Sequence, residues 1–422
     1  MSQIAIVGSG PAGCYLADQL LKLLPDSTVD VLERLPVPFG LVRYGVAPDH
    51  QGTKAVTRVL DRVLSHPRLA FFGNVKVGRD VLLAELLAWY DAVVLATGAC
   101  HDRKLGIPGE DLPGVLGSTS FVNWYNSHPE SLSPLLSRVS SVVIIGNGNV
   151  AIDVARILSR EPQDFAGSDL PLEVASVLSA QPLKEIHIVG RRGPAEAKFT
   201  EHELAELGAL GRVQPKVDAN TDLNGSTPVL RILRGFQSQP PRSASITLHF
   251  HFFMTPAAFL GSERLEAVQF RCANVECKLP AQLAVTCIGY QAGACCSASP
   301  VDGTFPNEQG KIRNGLYVVG WARRGPTGTI PTNRSEAQEL AQRIAKELTD
   351  AGRSGRAALT NQLRANGRPF VDYSGWKRID SAEIARANDG RCRLKLKSVE
   401  EMLKLADLQT SSAWSAKLPG CI

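Results

Sequence analysis

The 422-residue sequence predicts an α/β fold of two Rossmann-like, doubly wound domains. Two observations carry this. An apolar strand running into a glycine-rich turn and then a helix occurs twice, at residues 4–24 and 142–158. The length also suits two hydrophobic cores better than one.

The composition is 44% hydrophobic and 21% charged, as in globular proteins. There are 46 Lys and Arg against 41 Asp and Glu, a mild excess that argues against a nucleic-acid binder. It suits a modest positive patch for an acidic partner. Residues 1–3 lead straight into the first strand with no basic n-region, so no signal or transit peptide is expected. No apolar run approaches the roughly 20 residues of a membrane span. The nine cysteines form no framework, which points to reduced thiols. A bacterial cytosol is the expected location, with the mitochondrial matrix as the alternative.

In the first motif, residues 4–7 form a buried strand and Gly8-Ser9-Gly10-Pro11-Ala12-Gly13 the turn. Gly8 permits the tight bend, Gly10 lets backbone approach a pyrophosphate, and Gly13 lets the helix pack on the strand. The helix N-terminus faces the anion. The next strand, residues 29–32, ends at Glu33, 20 residues after Gly13, where a ribose-binding acid belongs. A carboxylate there repels a 2′-phosphate, so this site prefers FAD or NAD over NADP.

In the second motif, residues 142–145 lead into Gly146-Asn147-Gly148-Asn149-Val150-Ala151, with Ala151 a tolerated variant of the third glycine. The strand at 185–189 ends in Gly190-Arg191-Arg192 instead of an acid. Guanidinium groups pair with a 2′-phosphate in bidentate fashion, so the second nucleotide is read as NADP(H). The connection over 159–184 is long enough for an extra helix or loop. Two unlike nucleotide sites imply a flavoprotein in which NADPH supplies a hydride and FAD receives it.

Several longer segments then resemble the adrenodoxin reductase family of ferredoxin–NADP reductases. They are residues 35–50 (Leu-Pro-Val-Pro-Phe-Gly-Leu-Val-Arg-Tyr-Gly-Val-Ala-Pro-Asp-His) and 190–204, which includes Gly190-Arg191-Arg192-Gly193-Pro194. The others are 320–330, beginning Gly320-Trp321-Ala322-Arg323-Arg324, and the tail motif Tyr373-Ser374-Gly375-Trp376 with Ile379-Asp380. Nearly the whole chain is covered; only residues 208–245 diverge. The resemblance implies an NADP domain inserted into an FAD domain. Small-residue turns after the strands at 91–98 and 283–290 mark junctions. The expected division is FAD domain at 1–101, NADP domain at 102–321 and FAD domain again at 322–422.

The resemblance also implies residue roles. Ala12, Glu33, Leu41 and Val77 match FAD contacts, with Thr97 and Gly98 at the end of their strand. Trp321, Gly328, Thr329 and Ile330 match the flavin-ring side, where backbone N–H groups can approach N1 and O2. Residues 147–150 match the pyrophosphate loop, although the family often has Gln where Asn147 stands. Arg191, Arg192 and Glu203 match adenosine-phosphate and ribose contacts. His50 and Asp153 match a pair that the family places near nicotinamide and flavin, for proton handling or gating. The implied reaction is hydride transfer from NADPH to FAD, followed by two single-electron transfers to a small iron–sulfur ferredoxin. That partner is usually acidic. Arg231 and Arg234 fall near the family's docking arginines. The family is commonly monomeric.

Alternatives on the same scaffold are a disulfide reductase, a glutamate-synthase small subunit, a flavin monooxygenase and a non-catalytic FAD-binding redox sensor. The first needs a redox cysteine pair. Cys272 and Cys277 read as two unrelated thiols, and Cys295-Cys296 cannot form a C-x-x-C loop. The second carries a cysteine-rich N-terminal domain, but only Cys14 and Cys100 lie in the first 270 residues here.

Overall fold

The computed structural model describes all residues except 135, 137, 273–274, 295–297, 388–389 and 407–422. Cys295 and Cys296 therefore lie outside the described residues. The chain divides into two compact units. One comprises residues 1–46, 50–101 and 290–422; the other comprises 47–49 and 102–289.

The first unit is built on a six-stranded sheet. Its order is Lys311–Arg313, Leu316–Val318, Ala92–Leu95, Ser2–Val7, Ser27–Glu33, Leu69–Gly73. All neighbours are parallel except the Lys311–Arg313 edge. The central strands are apolar at nearly every position because both faces are covered. Ile4, Ile6, Val29 and Val31 pack with the helices Pro11–Leu23 and Ile330–Glu347. Ala5, Leu32, Val93 and Leu95 pack on the opposite face. Leu316–Val318 pairs with Ala92–Leu95, so the chain has returned to this sheet well before residue 321. The second crossing therefore falls at 289/290. The sequence placed it too late because a three-residue strand carries no period of its own.

Several motif residues of this unit serve its core. The Arg43 guanidinium pairs with Glu383, and both side chains are almost fully buried. Arg43 also lies over the rings of Tyr44 and Trp376, at 5.1 and 5.5 Å from their centroids. Phe39 meets Trp376 edge-on at 5.6 Å. The Trp376 indole N–H donates to Asp61 at 3.1 Å. The N-terminal hallmark and the tail motif are thus one packed cluster.

The second unit has a six-stranded, fully parallel sheet. Its order is Val115–Gly117, Leu283–Thr286, Ser141–Ile145, Glu185–Val189, Ile246–His251, Val213–Val217. One face packs through Ile144, Ile186, Ile188, Leu248 and Phe250. The other packs Val143, Ile145 and Val189 against a three-stranded antiparallel sheet, Met254–Leu260, Ala267–Cys272 and Val275–Pro280. The long connection holds a short 3-10 turn, Pro162–Phe165, and the helix Leu172–Ser179. The divergent stretch forms the strand Val213–Val217 and the helix Pro228–Ser238, whose N-cap Thr227 accepts from Leu230 N.

Cys272 and Cys277 are joined in a disulfide, which corrects their reading as unrelated thiols. Hairpin register is the reason. Phe270 pairs with Cys277 and Cys272 with Val275, so the two cysteines are diagonal neighbours on one face. Their spacing alone does not reveal that their two strands pair in this register.

Removing the carboxylate that pairs with Arg43 leaves a buried charge without its partner. Glu383→Ala is expected to cost about 3–5 kcal/mol in urea unfolding of the first unit. Glu383→Gln, which keeps hydrogen-bonding atoms, is expected to cost less. Equal stability of wild type and Glu383→Ala would contradict a structural role for the pair.

Candidate active site

In the first unit the turn after Ser2–Val7 is shaped by one close approach. Gly8 has φ +114°, and its N–H donates to Leu32 O at 2.8 Å. A Cβ on Gly8 would overlap the Ala96 carbonyl, and one on Gly13 would overlap the Gly8 carbonyl. Gly10, by contrast, faces open space. Pro11 opens the 13-residue helix without losing a needed donor. Glu33 lies across this turn: its carboxylate accepts from Ser9 N at 3.1 Å, Ser9 Oγ at 2.7 Å and Leu35 N at 3.2 Å.

Other expected contacts of this unit are placed as follows. Ala12 lies so close to Gly320 that a Cβ there would come within 2.6 Å of its methyl. Leu41 begins the short helix Leu41–Tyr44 and is 38% exposed, although apolar. Val77 is half-buried and bridges to Val81. Thr97 Oγ1 is buried without a hydrogen-bond partner among the described residues, and Gly98 follows it at φ +69°. Trp321 starts the helix Trp321–Arg324; its ring stacks on Tyr290 at 6.0 Å and its N–H donates to Thr327 O at 3.0 Å. Gly328 and Thr329 then lead into the 18-residue helix Ile330–Glu347, so the expected flavin-side segment is a helix N-terminus. A carboxylate the sequence did not single out anchors it. Glu336 is buried and accepts from Gly320 N at 3.1 Å and from Arg323 and Arg324. Two consecutive arginines in a motif were its only signal.

The second unit repeats the arrangement. Gly146 has φ +138°, donates to Val189 O at 2.8 Å, and could not carry a Cβ without overlapping the Cys287 carbonyl. Gly148 faces open space, as Gly10 does. Ala151 is fully buried and Val150 half-buried, both against the unit's core. The Asn147 side chain lies on Gly190, and its Oδ1 is buried without a partner among the described residues. Asn147 O accepts from Lys198 N at 2.7 Å and Asn149 Oδ1 from Thr200 N at 2.8 Å, which fixes the loop. Arg191 and Arg192 are exposed just past the strand Glu185–Val189. Glu203 lies in the helix Glu201–Ala209.

The two proton-handling candidates lie in different units. His50 is the N-cap residue of Gln51–Lys54 in the first. Asp153 lies on the helix Asn149–Ser159 in the second and accepts from Arg156 at 2.6 Å. The Arg156 guanidinium is fully buried and also pairs with Asp49. Arg160 bridges Asp49 at 3.1 Å and Glu206 at 2.6 Å. Burial first, then the Glu203 and Glu206 carboxylates, raise the Asp153 carboxyl well above its ordinary range. Burial lowers the Arg156 guanidinium to about 10. Of the two docking candidates, Arg231 is exposed, whereas Arg234 donates to Leu223 O at 2.7 Å and Gly225 O at 2.8 Å.

Glycine turns under open helix ends, the Glu33 carboxylate and the unpartnered Thr97 hydroxyl fit a flavin dinucleotide. The second turn, its Asn147 oxygen, unpartnered among the described residues, and two exposed arginines fit NADP(H).

Comparison with known proteins gives the family. Residues 2–192 match the pyridine nucleotide-disulphide oxidoreductase family. The chain is 39% identical to NADPH-ferredoxin reductase FprA of Mycobacterium tuberculosis, over 95% of this chain and 98% of that one. It is 39% identical to the human mitochondrial NADPH:adrenodoxin oxidoreductase, over 96% and 91%. A solved structure of the mycobacterial FprA in complex with NADPH superposes with a TM-score of 0.90 at 38% identity, covering 96% of this chain and 99% of that one. With identity at this level along almost the entire length, the chain belongs to the adrenodoxin-reductase-like family of ferredoxin–NADP reductases.

Proposed function

We propose that this chain is an NADPH–ferredoxin reductase that holds FAD in its first unit and NADP(H) in its second. The observation that carries the reading is the opposite charge after two equivalent turns: Glu33 in one unit, Arg191 and Arg192 in the other. FAD, when bound, accepts a hydride from NADPH and passes on the two electrons singly.

The protein's own part is binding, orientation and charge. Gly8 and Gly10, with the N-terminus of Pro11–Leu23, receive one pyrophosphate, and Glu33 takes the ribose hydroxyls. Gly328 and Ile330, at the N-terminus of a long helix, offer backbone N–H groups where negative charge would build on a reduced ring, while the Thr329 N–H already donates to Thr332 Oγ1. Residues 146–149 receive the second pyrophosphate, and Arg191 and Arg192 the 2′-phosphate. Asp153 is the candidate proton carrier of the second unit and His50 that of the first. The partner is a small acidic iron–sulfur protein. Arg231 is the better docking candidate, because Arg234 is committed to carbonyls of its own loop. Exposed cationic steering makes the encounter sensitive to salt. A monomer in a bacterial cytosol is the simplest setting.

The function is tested by adding the host's ferredoxins. NADPH-dependent cytochrome c reduction is expected to be fast only with a ferredoxin present. Flavin bleaching by NADPH with no ferredoxin accepting electrons would reject the assignment.

Arg191→Ala removes charge-assisted hydrogen bonds to a 2′-phosphate. Steady-state kinetics are expected to show the KM for NADPH rising roughly 10- to 100-fold while that for NADH stays unchanged. An equal rise for both nucleotides would remove the 2′-phosphate role.

Asp153 makes a pH-dependent prediction. Its carboxyl binds a proton more tightly in the folded chain than in the unfolded one, where the value is about 3.9. Ionisation therefore opposes folding, and the cost appears as pH rises above the unfolded value. The stability of wild type relative to Asp153→Asn is expected to fall as pH rises above the unfolded value, on top of a pH-independent cost of losing the Arg156 ion pair in the variant. A difference independent of pH in thermal unfolding would contradict this.

A further inference from the structure

We infer that the second unit carries a metal site of its own, a three-histidine site for a zinc-like divalent cation, formed by His187, His249 and His251. The strands Glu185–Val189 and Ile246–His251 are parallel neighbours, and their register pairs His187 with His249. His251 lies two residues on, so alternation puts its side chain on the same face as His249. Nitrogen atoms of the three rings all lie within 4.8 Å of one another. His187 Nδ1 and His251 Nε2 are 3.0 Å apart. Two ligands of one tetrahedral zinc ion, at about 2.0–2.1 Å each, stand roughly 3.3 Å apart.

Two further observations point to a ligand. His249 Nε2 is buried and has no hydrogen-bond partner among the described residues. A buried ring nitrogen left so is costly unless something occupies it. The other nitrogen of His187, Nε2, lies 3.4 Å from the Glu185 carboxylate. The two are not hydrogen-bonded, so the carboxylate adds negative charge beside the three rings without fixing the orientation of one. Lys216, paired with His249 on the neighbouring strand Val213–Val217, is exposed and can keep its charge in solvent. Three imidazoles with one open position suit zinc and its neighbours in the first transition row, and do not suit calcium or magnesium.

The site belongs to neither nucleotide turn. It does lie directly behind one: Gly190 N donates to His251 O at 2.9 Å, and Phe253 N to Arg192 O at 3.2 Å. A cation bridging the two strands would clamp the base of the Arg191–Arg192 turn.

The test uses tag-free, chelator-treated holoenzyme titrated with zinc by calorimetry, and with cobalt for its visible absorption. One zinc per chain at micromolar or tighter affinity is expected, with a cobalt band typical of nitrogen ligation. His249→Ala and His251→Ala are expected to weaken binding at least tenfold, and Glu185→Ala by less than either. His249→Gln guards against loss by misfolding, since it keeps the size and polarity of the side chain; flavin content and circular dichroism report folding. His202→Ala, at an exposed histidine, is expected to change nothing. Zinc binding that survives in His249→Ala and His251→Ala, or that is lost only in Cys272→Ser, would overturn the inference. So would the absence of stoichiometric binding in the wild type.

Discussion

One close approach, made twice, governs both units. A glycine turn presses on the carbonyl of the neighbouring strand, Gly8 on Ala96 and Gly146 on Cys287, with no room for a Cβ. That contact seats the following helix tightly on its sheet, with open space beside Gly10 and Gly148 at the helix N-terminus. An anion is the natural complement of such a helix end. Everything specific is added around this shared frame.

What is added is mainly charge, placed where the next strand ends. Glu33 is drawn back over its own turn by Ser9 and Leu35, which holds the carboxylate in place before any ligand arrives. Arg191 and Arg192 stand exposed, so their donors remain available. Two similar turns therefore differ by a local reversal of charge.

The remaining motif residues mostly build. Arg43 pairs with Glu383 under Trp376, Arg323 and Arg324 converge on Glu336, and Arg156 is enclosed by Asp49 and Asp153. Burying a guanidinium is unfavourable without such partners. Residues that look like ligand contacts in a motif can be holding the segments that carry the contacts. Asp153 shows both sides: it supports Arg156, and the carboxylates around it tune its proton affinity.

The sequence by itself determined the two turns, the opposite charge that follows each and the family, because each is written in consecutive residues whose conformation is local. Strand, glycine spacing and the charge at the next strand's end are all within one βαβ unit. Tertiary structure alone decided the second crossing at 289/290, the partners of the buried arginines, the disulfide between Cys272 and Cys277, and the meeting of His187 with His249 and His251. Each of these depends on which strands become neighbours and in what register. That is set by packing whole elements together, and no window of sequence contains it.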